Sequence, residues 1–185
     1  MEKIKYSKSL SNEFKSPLKG GLIVIFTLIR LYIGYSWLMA GIDKLAWLSG
    51  EAGKSSGMIN GLINNLANSH GSDPLHLNDL LAWASKNIFL AFPGMTDLMV
   101  VASEILIGLL LILGVKVLWV SLLAMFLNTQ YITAGAANNF GYIWTNLGLM
   151  GFSQYAEAIG VSGWLKSRKG KPLVGDKLLP WLCWP

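Results

Sequence analysis

Four long apolar stretches constrain this chain more than any other feature of its sequence. They cover residues 22–41, 98–114, 117–136 and 142–161. A membrane's hydrocarbon core is about 30 Å thick, and roughly 20 consecutive apolar residues cross it as a helix. Only helices and closed barrels cross it, because every backbone polar group must be satisfied internally. We therefore predict an all-α integral membrane protein: a single membrane domain in which four helices form an antiparallel bundle.

The composition agrees with this interpretation. Hydrophobic residues make up 53% of the 185 residues and charged residues only 14%, which is too apolar for an ordinary soluble domain of this length. The first stretch comes after a lysine-rich leader, so a cleavable signal peptide is the alternative. The run is too long for one, contains Arg30, and ends at Lys44 without a small-residue cleavage site. We predict that it remains as an anchor.

Basic residues predict the orientation of the bundle. Five lysines precede the first stretch and five basic residues come after the fourth, whereas the opposite side carries only Lys44 and, in the loop of residues 45–96, Lys54 and Lys86. Because positive residues concentrate on the cytoplasmic side, both termini are predicted to be cytoplasmic in a cell (inner or plasma) membrane. The net charge of +5 reflects this flanking pattern. It does not indicate nucleic-acid binding, since no basic face with interleaved aromatics is present.

The outer loop, residues 45–96, is predicted to contain one helix. Pro74 is a helix-start signal, and Leu77, Leu80, Leu81 and Ala84 come next at helical spacing. This pattern predicts an amphipathic helix from Pro74 to Phe92 that lies on or dips into the outer membrane surface. At the other end of the chain, the cytoplasmic tail, residues 162–185, carries Trp181 and Trp184, which are typical of an interfacial anchor.

Two charged residues lie inside the predicted spans. Arg30 is in the first and Glu104 in the second, each counted at about ten residues from the cytoplasmic end. At 1.5 Å per residue these depths are nearly equal. An unpaired charge within a membrane is costly, so we predict an Arg30–Glu104 pair at mid-membrane and a functional site around it.

Helical spacing predicts which other polar residues join this site. Trp37 and Lys44 share a stripe with Arg30, Asn128 and Tyr131 share a face of the third span, and Asn146 lies in the fourth. Asp97 and Asn139 are predicted to open the cluster toward the outer loop, whereas Gln130 points away from Asn128. The alternative is structural: the cluster only holds the helices in register. Gly34, Gly108 and Gly148 are interpreted as positions of close helix approach.

Several cofactor motifs are missing from the sequence. His70 and His76 both fall in the outer loop, so a bis-histidine haem between spans cannot be built, and their spacing does not suit a metal. No GxGxxG fingerprint indicates a dinucleotide or flavin. Cys183 is the only cysteine, so no redox pair forms within one chain. Any redox chemistry would need a partner subunit or a diffusible substrate.

The order of the motifs resembles a known family. Arg30-Leu31-Tyr32-Ile33-Gly34, Gly41-Ile42-Asp43-Lys44-Leu45 and the run Glu104 to Gly114, with Asn146 after them, are similar to the DoxX/DoxD family of four-helix membrane proteins. The resemblance covers roughly residues 29–164. It implies a subunit related to the membrane component of thiosulfate:quinone oxidoreductase. Carried over, it places Arg30, Lys44, Glu104 and Asn146 at the family's polar positions.

Two hypotheses for the function are open. In the first, quinone is a diffusible acceptor whose ring lies near Trp37 and Tyr131; Arg30 and Glu104 are catalytic, while Lys44, Asn128 and Asn146 complete substrate binding. The donor would be thiosulfate or a thiol, and a redox partner subunit or a homo-oligomer in the lipid bilayer is expected. In the second, the chain is a non-enzymatic scaffold or assembly partner that docks another protein through its outer loop.

Overall fold

The computed structural model describes residues 2–68, 75–136 and 139–175. Within these ranges the chain is helical and contains no strand, so the predicted all-α class is confirmed. The helices are α1 (Glu2–Glu13), α2 (Pro17–Asp43), a 3₁₀ helix (Leu45–Leu48), α3 (Ser56–Ala67), α4 (Leu77–Ala84), a π-helical turn (Ser85–Phe89), α5 (Pro93–Leu113), α6 (Val117–Thr133), α7 (Phe140–Gly151), α8 (Ser153–Ala158) and α9 (Val161–Arg168).

Two of these helical segments are long and apolar enough to cross a membrane. They are residues 17–48, which include α2, and α5. Only 33% and 39% of their most apolar windows are buried inside the protein, so these helices direct much of their apolar surface outward. Leu28 and Leu106 are examples, with 60% and 52% of their surface exposed. A helix in the core of a soluble protein would instead be mostly buried.

The other two predicted spans are shorter in the structure. Helix α6 is apolar but has 17 residues and ends at Thr133, three residues before the predicted boundary. The predicted continuous fourth span, residues 142–161, is wrong: α7 ends at Gly151, α8 runs only to Ala158, and the backbone is extended at Gly160. A side chain at Gly160 would lie 2.9 Å from the carbonyl oxygen of Leu113, so close packing there ends the helix.

Local sequence signals explain where α2 and α5 begin and end. Both helices carry proline in their first turn, where its missing N–H is not needed. Ser16 caps α2, its Oγ accepting a hydrogen bond from the N–H of Lys19 at 3.5 Å. Gly114 ends α5 in the left-handed conformation, at φ 67°. Because of these signals, the two helices start five residues earlier than the predicted spans.

Glycines set the antiparallel register of α2 against α5. A Cβ on Gly108 would lie 2.5 Å from the backbone nitrogen of Leu38, and one on Gly41 would lie 2.9 Å from that of Ile105. The predicted close approach at Gly34 and Gly108 is thus confirmed, since the backbones come this near only where a side chain is missing. Gly148 does not approach a helix in this way, because the nearest described atom, in Phe26, would be 3.9 Å from its Cβ.

A small layer closes one end of the bundle. Helix α1, which lies within the lysine-rich leader, packs there beside α9, and the Tyr6 hydroxyl donates to the Ala158 carbonyl at 2.9 Å. Leu173 and Val174 complete this layer by burying against Ile23. The first described helix and the last one therefore lie at the same end. The predicted anchor at Trp181 and Trp184 lies outside the described residues.

A second layer covers the opposite end. It contains α3, which the sequence pattern did not predict, together with α4 and the π-helical turn. Of the predicted helix, Pro74 lies outside the described residues, and the α-helical part covers only Leu77–Ala84. Its predicted apolar face is split: Leu80 is 61% exposed, whereas Leu81 lines an internal cavity.

The buried carboxylate of Asp97 fixes this layer to α5. It accepts hydrogen bonds from the backbone N–H groups of Gly53, Lys54 and Ser55 at 2.7–3.0 Å, and from the Ser55 hydroxyl at 2.6 Å. These donors belong to the loop that leads into α3. Asp97 therefore anchors this second layer, which we call the outer layer because α3, α4 and the π-helical turn all belong to the predicted outer loop. Asp97 does not line the polar opening predicted for it.

Candidate functional site

A polar pocket lies between α2, α5 and α6, close to the start of α7. Its volume is about 260 Å³, and it is open on one side. Five of the seven predicted site residues line it: Trp37, Lys44, Glu104, Asn128 and Tyr131. They come from α2 and its C-terminal cap, from α5 and from α6. Trp37 and Lys44 share a face because they are two helical turns apart, and Asn128 and Tyr131 share a face because they are one turn apart. The facial pattern in the sequence therefore did predict this grouping.

Glu104 is the central group of the pocket. Its side chain is 1% exposed, and the Lys44 ammonium donates to both of its oxygens at 2.7 Å. The Tyr131 hydroxyl donates to one of them, Oε1, at 2.8 Å. A buried carboxylate is tolerated only when it is paired and hydrogen-bonded, and here both conditions are met.

Lys44 holds its position from the end of α2. It comes directly after the last helical residue, where its backbone N–H caps the helix, and its side chain is 28% exposed. The Nζ atom also lies 5.7 Å from the Trp47 ring centre and 6.0 Å from the Tyr131 ring centre, within the range of cation–π attraction. The ammonium therefore connects the buried carboxylate with the open side of the pocket.

Two buried donors in the pocket wall have no hydrogen-bond partner among the described residues. They are the indole Nε1 of Trp37 and the amide Nδ2 of Asn128. Leaving such a group unpaired costs about 1–3 kcal/mol, so buried donors in native proteins nearly always have an acceptor. A small ligand that carries acceptor oxygens would supply the partners that these two residues lack, beside the Lys44 ammonium.

Two aromatic rings form the apolar part of the pocket wall. The rings of Trp37 and Tyr131 are 6.3 Å apart between centres and tilted by 34°. Such a pair offers surface to a planar molecule while its polar atoms stay at the edges. Four further residues line the wall: Ser36, Ala40, Asn139 and Tyr142. Asn139 lies at the pocket as predicted, whereas Ser36 and Ala40 were not predicted. Ser36 carried no signal, because it lies one residue from Trp37 and off the predicted stripe.

The predicted pairing of Arg30 with Glu104 is wrong. Arg30 is 2% exposed, and its guanidinium donates to three backbone carbonyl oxygens: those of Leu111, of Ile112 at 2.9 Å, and of Ile159 at 2.8 Å. The last carbonyls of a helix have no partner within it, so Arg30 satisfies the end of α5 and the residue after α8. Arg30 does not line the pocket.

The register of α2 and α5 explains the error. Gly41 lies opposite Ile105 and Leu38 opposite Gly108, so the residue level with Glu104 is Ile42, twelve positions after Arg30. At 1.5 Å per residue this is about 18 Å along the axis, beyond the reach of an arginine side chain. Counting from the predicted span ends gave equal depths because it took those ends to be level, whereas Gly114 at the end of α5 lies level with Tyr32, ten residues after the predicted first span begins.

Asn146 is also buried outside the pocket lining. It is fully buried, and neither atom of its amide group has a partner among the described residues. Gln130, predicted to point away from Asn128, lines a different cavity, which confirms that prediction. Outside the pocket, exposed His76 contacts Asp79 at 3.1 Å, and His70 lies outside the described residues. No group of three or more potential metal ligands occurs in the described ranges.

Comparison with known proteins adds no assignment. No family model, no curated protein and no solved structure matches the chain. A function is therefore inferred from the geometry of the pocket and from the chemistry of its side chains.

Proposed function

We propose that this chain is a DoxX/DoxD-like membrane subunit of a quinone-linked oxidoreductase, with a thiosulfate or thiol donor. The observation that carries the proposal is the polar pocket, whose lining combines the Lys44 ammonium, the hydrogen-bonded Glu104 carboxylate, two aromatic rings and two side chains with an unpartnered N–H group. The resemblance in sequence supports the same class.

In this proposal the chain crosses the membrane four times, by α2, α5, α6 and the broken α7–α8 segment. Outward-facing apolar side chains occur on α6 and α7 as well, since Phe126 is 54% exposed and Trp144 65% exposed. An even number of crossings agrees with α1 and α9 lying at one end. The basic residues of α1 and α9 make that end the cytoplasmic one.

The pocket suits the ring of a quinone. Its two carbonyl oxygens are acceptors, which the Lys44 ammonium and the N–H groups of Trp37 and Asn128 would bind, and its planar ring matches the Trp37–Tyr131 surface. Reduction to the quinol adds two electrons and two protons. The Tyr131 hydroxyl and Glu104, 2.8 Å apart, are placed to pass a proton to a ring oxygen.

The reaction balances with the proposed donors. Two thiols become a disulfide by releasing two electrons and two protons, and the quinone takes up all four. Two thiosulfate ions likewise join through an S–S bond to give tetrathionate, releasing two electrons, and the two protons then come from water. Lys44, partly exposed at the open side, would attract the anionic donor.

Purified full-length protein tests this proposal. Reduction of a decyl-quinone analogue by thiosulfate or a thiol is followed by absorbance, and we expect Glu104→Gln to slow turnover by about 100-fold, the usual scale for a lost proton-transfer group. Glu51→Gln, the same change at an exposed loop position, should match wild type. Absence of both binding and turnover in wild type, or unchanged turnover in Glu104→Gln, would exclude the mechanism.

The outer layer supports a second candidate, a non-enzymatic membrane scaffold. Leu77, Leu80 and Trp83 expose 57–61% of their surfaces along α4, and Leu75 beside them exposes 74%. Contiguous apolar surface of this kind marks contact with a protein or a membrane. Cross-linking in native membranes separates the candidates: a stoichiometric partner lost in Leu80→Glu/Trp83→Glu supports a scaffold, and no partner in wild type excludes one.

A further inference from the structure

A second cavity lies beside the polar pocket, between the outer layer and the bundle. It has a volume of about 340 Å³, and its walls are almost entirely hydrocarbon. Leu62 of α3 and Leu81 of α4 form one side, while Val100 of α5 and Leu127 of α6 form the other. Small-molecule sites occupy roughly 300–1,000 Å³, so this space is large enough for part of a ligand.

Helix α6 separates the two cavities, and Tyr131 borders both. Its hydroxyl donates to Glu104 on the polar side, whereas Leu127, one turn earlier, faces only the apolar side. The polar pocket is on the other face of the same turn, at Asn128. A polar space and an apolar space thus lie on either side of a single side chain.

The apolar cavity differs from the polar pocket in its hydrogen-bonding groups. Among the described residues, its lining has no charged side chain and four polar ones: Thr96, Ser103, Tyr131 and Gln130, of which Gln130 has a buried Oε1 without a partner there. A chain of water molecules would find too few partners along such walls, because a buried water needs two to four. Hydrocarbon, which needs none, is the chemistry that these walls accommodate.

We propose that the apolar cavity holds the hydrocarbon tail of the quinone whose ring occupies the polar pocket. This inference rests on the proposed function and narrows its substrate class to quinones that carry an isoprenoid or alkyl tail. The two cavities adjoin at Tyr131, which lines both, and this proximity favours one molecule with a polar ring and an apolar tail over a separate lipid chain.

The test compares two quinones with the same ring, one without a tail and one with a ten-carbon tail. Calorimetry on the full-length protein in detergent gives the Kd of each for wild type and for Val100→Trp, which takes up part of the cavity. Comparing proteins at one detergent concentration cancels the partition of the tail into micelles. Leu106→Trp makes the same kind of addition on the outward face of α5, where Leu106 is 52% exposed, and serves as the control.

We expect Val100→Trp to weaken the long-tailed quinone at least tenfold and the tailless one less than twofold, with Leu106→Trp unchanged for both. An equal effect on both quinones, or none on either, would overturn the tail assignment while leaving the ring site in place. If neither quinone binds wild type, the proposed function itself fails, and the inference with it.

A measurement on wild type guards against a variant that does not fold. A quinone with a photoreactive group at the end of its tail is cross-linked, and the labelled residues are identified by mass spectrometry. Labels on Leu62, Leu81 or Leu127 support the inference, whereas labels confined to outward-facing residues contradict it. Labelling of the cavity by a photoreactive phospholipid, undiminished by excess long-tailed quinone, would make it a lipid site and also overturn the inference.

Discussion

The ion pair between Lys44 and Glu104 gives the sharpest prediction for the stability of the bundle. Glu104 is 1% exposed, and the described residues that donate hydrogen bonds to it are Lys44 and Tyr131. In Lys44→Met the buried carboxylate keeps the tyrosine donor and loses its countercharge. Breaking a buried pair from one side costs about 3–5 kcal/mol, and we expect about 3 because Tyr131 still donates.

The second single variant and the double variant complete a thermodynamic cycle. Glu104→Gln should cost about 2 kcal/mol, less than Lys44→Met, because the partly exposed ammonium can turn to water or to the headgroup region. With both charges removed, no unpaired carboxylate remains, so the double variant should cost about 3 kcal/mol. The two substitutions together would then cost about 2 kcal/mol less than their sum, within the usual range for residues in contact.

A second cycle distinguishes this structure from the pairing expected from the sequence. Arg30 lies about 18 Å from the level of Glu104 along α2, so substitutions at the two positions should be additive within about 0.5 kcal/mol. Unfolding in mixed micelles of rising dodecyl sulfate content, followed by circular dichroism, measures both cycles. Additivity of Lys44 with Glu104, or coupling above about 1 kcal/mol between Arg30 and Glu104, would refute the assignment of the pair.

Three further variants test other contacts. Arg30→Lys should lower stability by about 2 kcal/mol in the same unfolding assay, because an ammonium cannot reach the carbonyl oxygens of two helices as a planar guanidinium does. Quinone affinity should stay within twofold, because Arg30 does not line the pocket. A tenfold loss of affinity would contradict this prediction. Gly108→Ala should lower the free energy of unfolding by about 1–3 kcal/mol, because the added carbon overlaps Leu38. The control Gly21→Ala, where no described atom lies within 4 Å of the added carbon, should be neutral or stabilising. Equal effects of the two substitutions would exclude the close approach at Gly108. Asp97→Ala removes the acceptor of the backbone N–H groups of residues 53–55, so the exchange of these amide hydrogens with solvent should become at least tenfold faster. An unchanged exchange rate would show that other contacts hold the loop.

The sequence was sufficient for features that depend on local periodicity. The stripe that places Trp37 with Lys44, and the face that places Asn128 with Tyr131, come from the helical repeat and lead to the same pocket. The opposite direction of Gln130 is predicted in the same way. These predictions succeed because each compares positions within one helix, where geometry is fixed at 3.6 residues per turn.

Features that depend on the register between helices could not be predicted. The pairing of Arg30 with Glu104 required knowing how α2 and α5 are staggered, and the C-terminal end of α5 lies level with Tyr32 of α2, well past the start of that helix. The break after Gly151 depends on contacts across the bundle, as does the extended backbone at Gly160. Helix α3 was not predicted because its glycines and asparagines are typical of a loop, whereas its three buried apolar residues turn toward the bundle.

The two charged groups of α2 and α5 are balanced in different ways, and this difference decides which of them can take part in chemistry. Arg30 has three carbonyl oxygens as hydrogen-bond partners, so its position does not depend on Glu104. Glu104 instead forms an ion pair with Lys44, which lies at the end of α2 with part of its side chain exposed. The Arg30 guanidinium is bound to carbonyl oxygens at two helix ends and is therefore part of the folded framework. The Lys44 ammonium borders an open pocket and can bind a ligand there, while Glu104 keeps its hydrogen bond from Tyr131. Substitution of Arg30 should therefore change stability above all, and substitution of Glu104 should change both stability and binding.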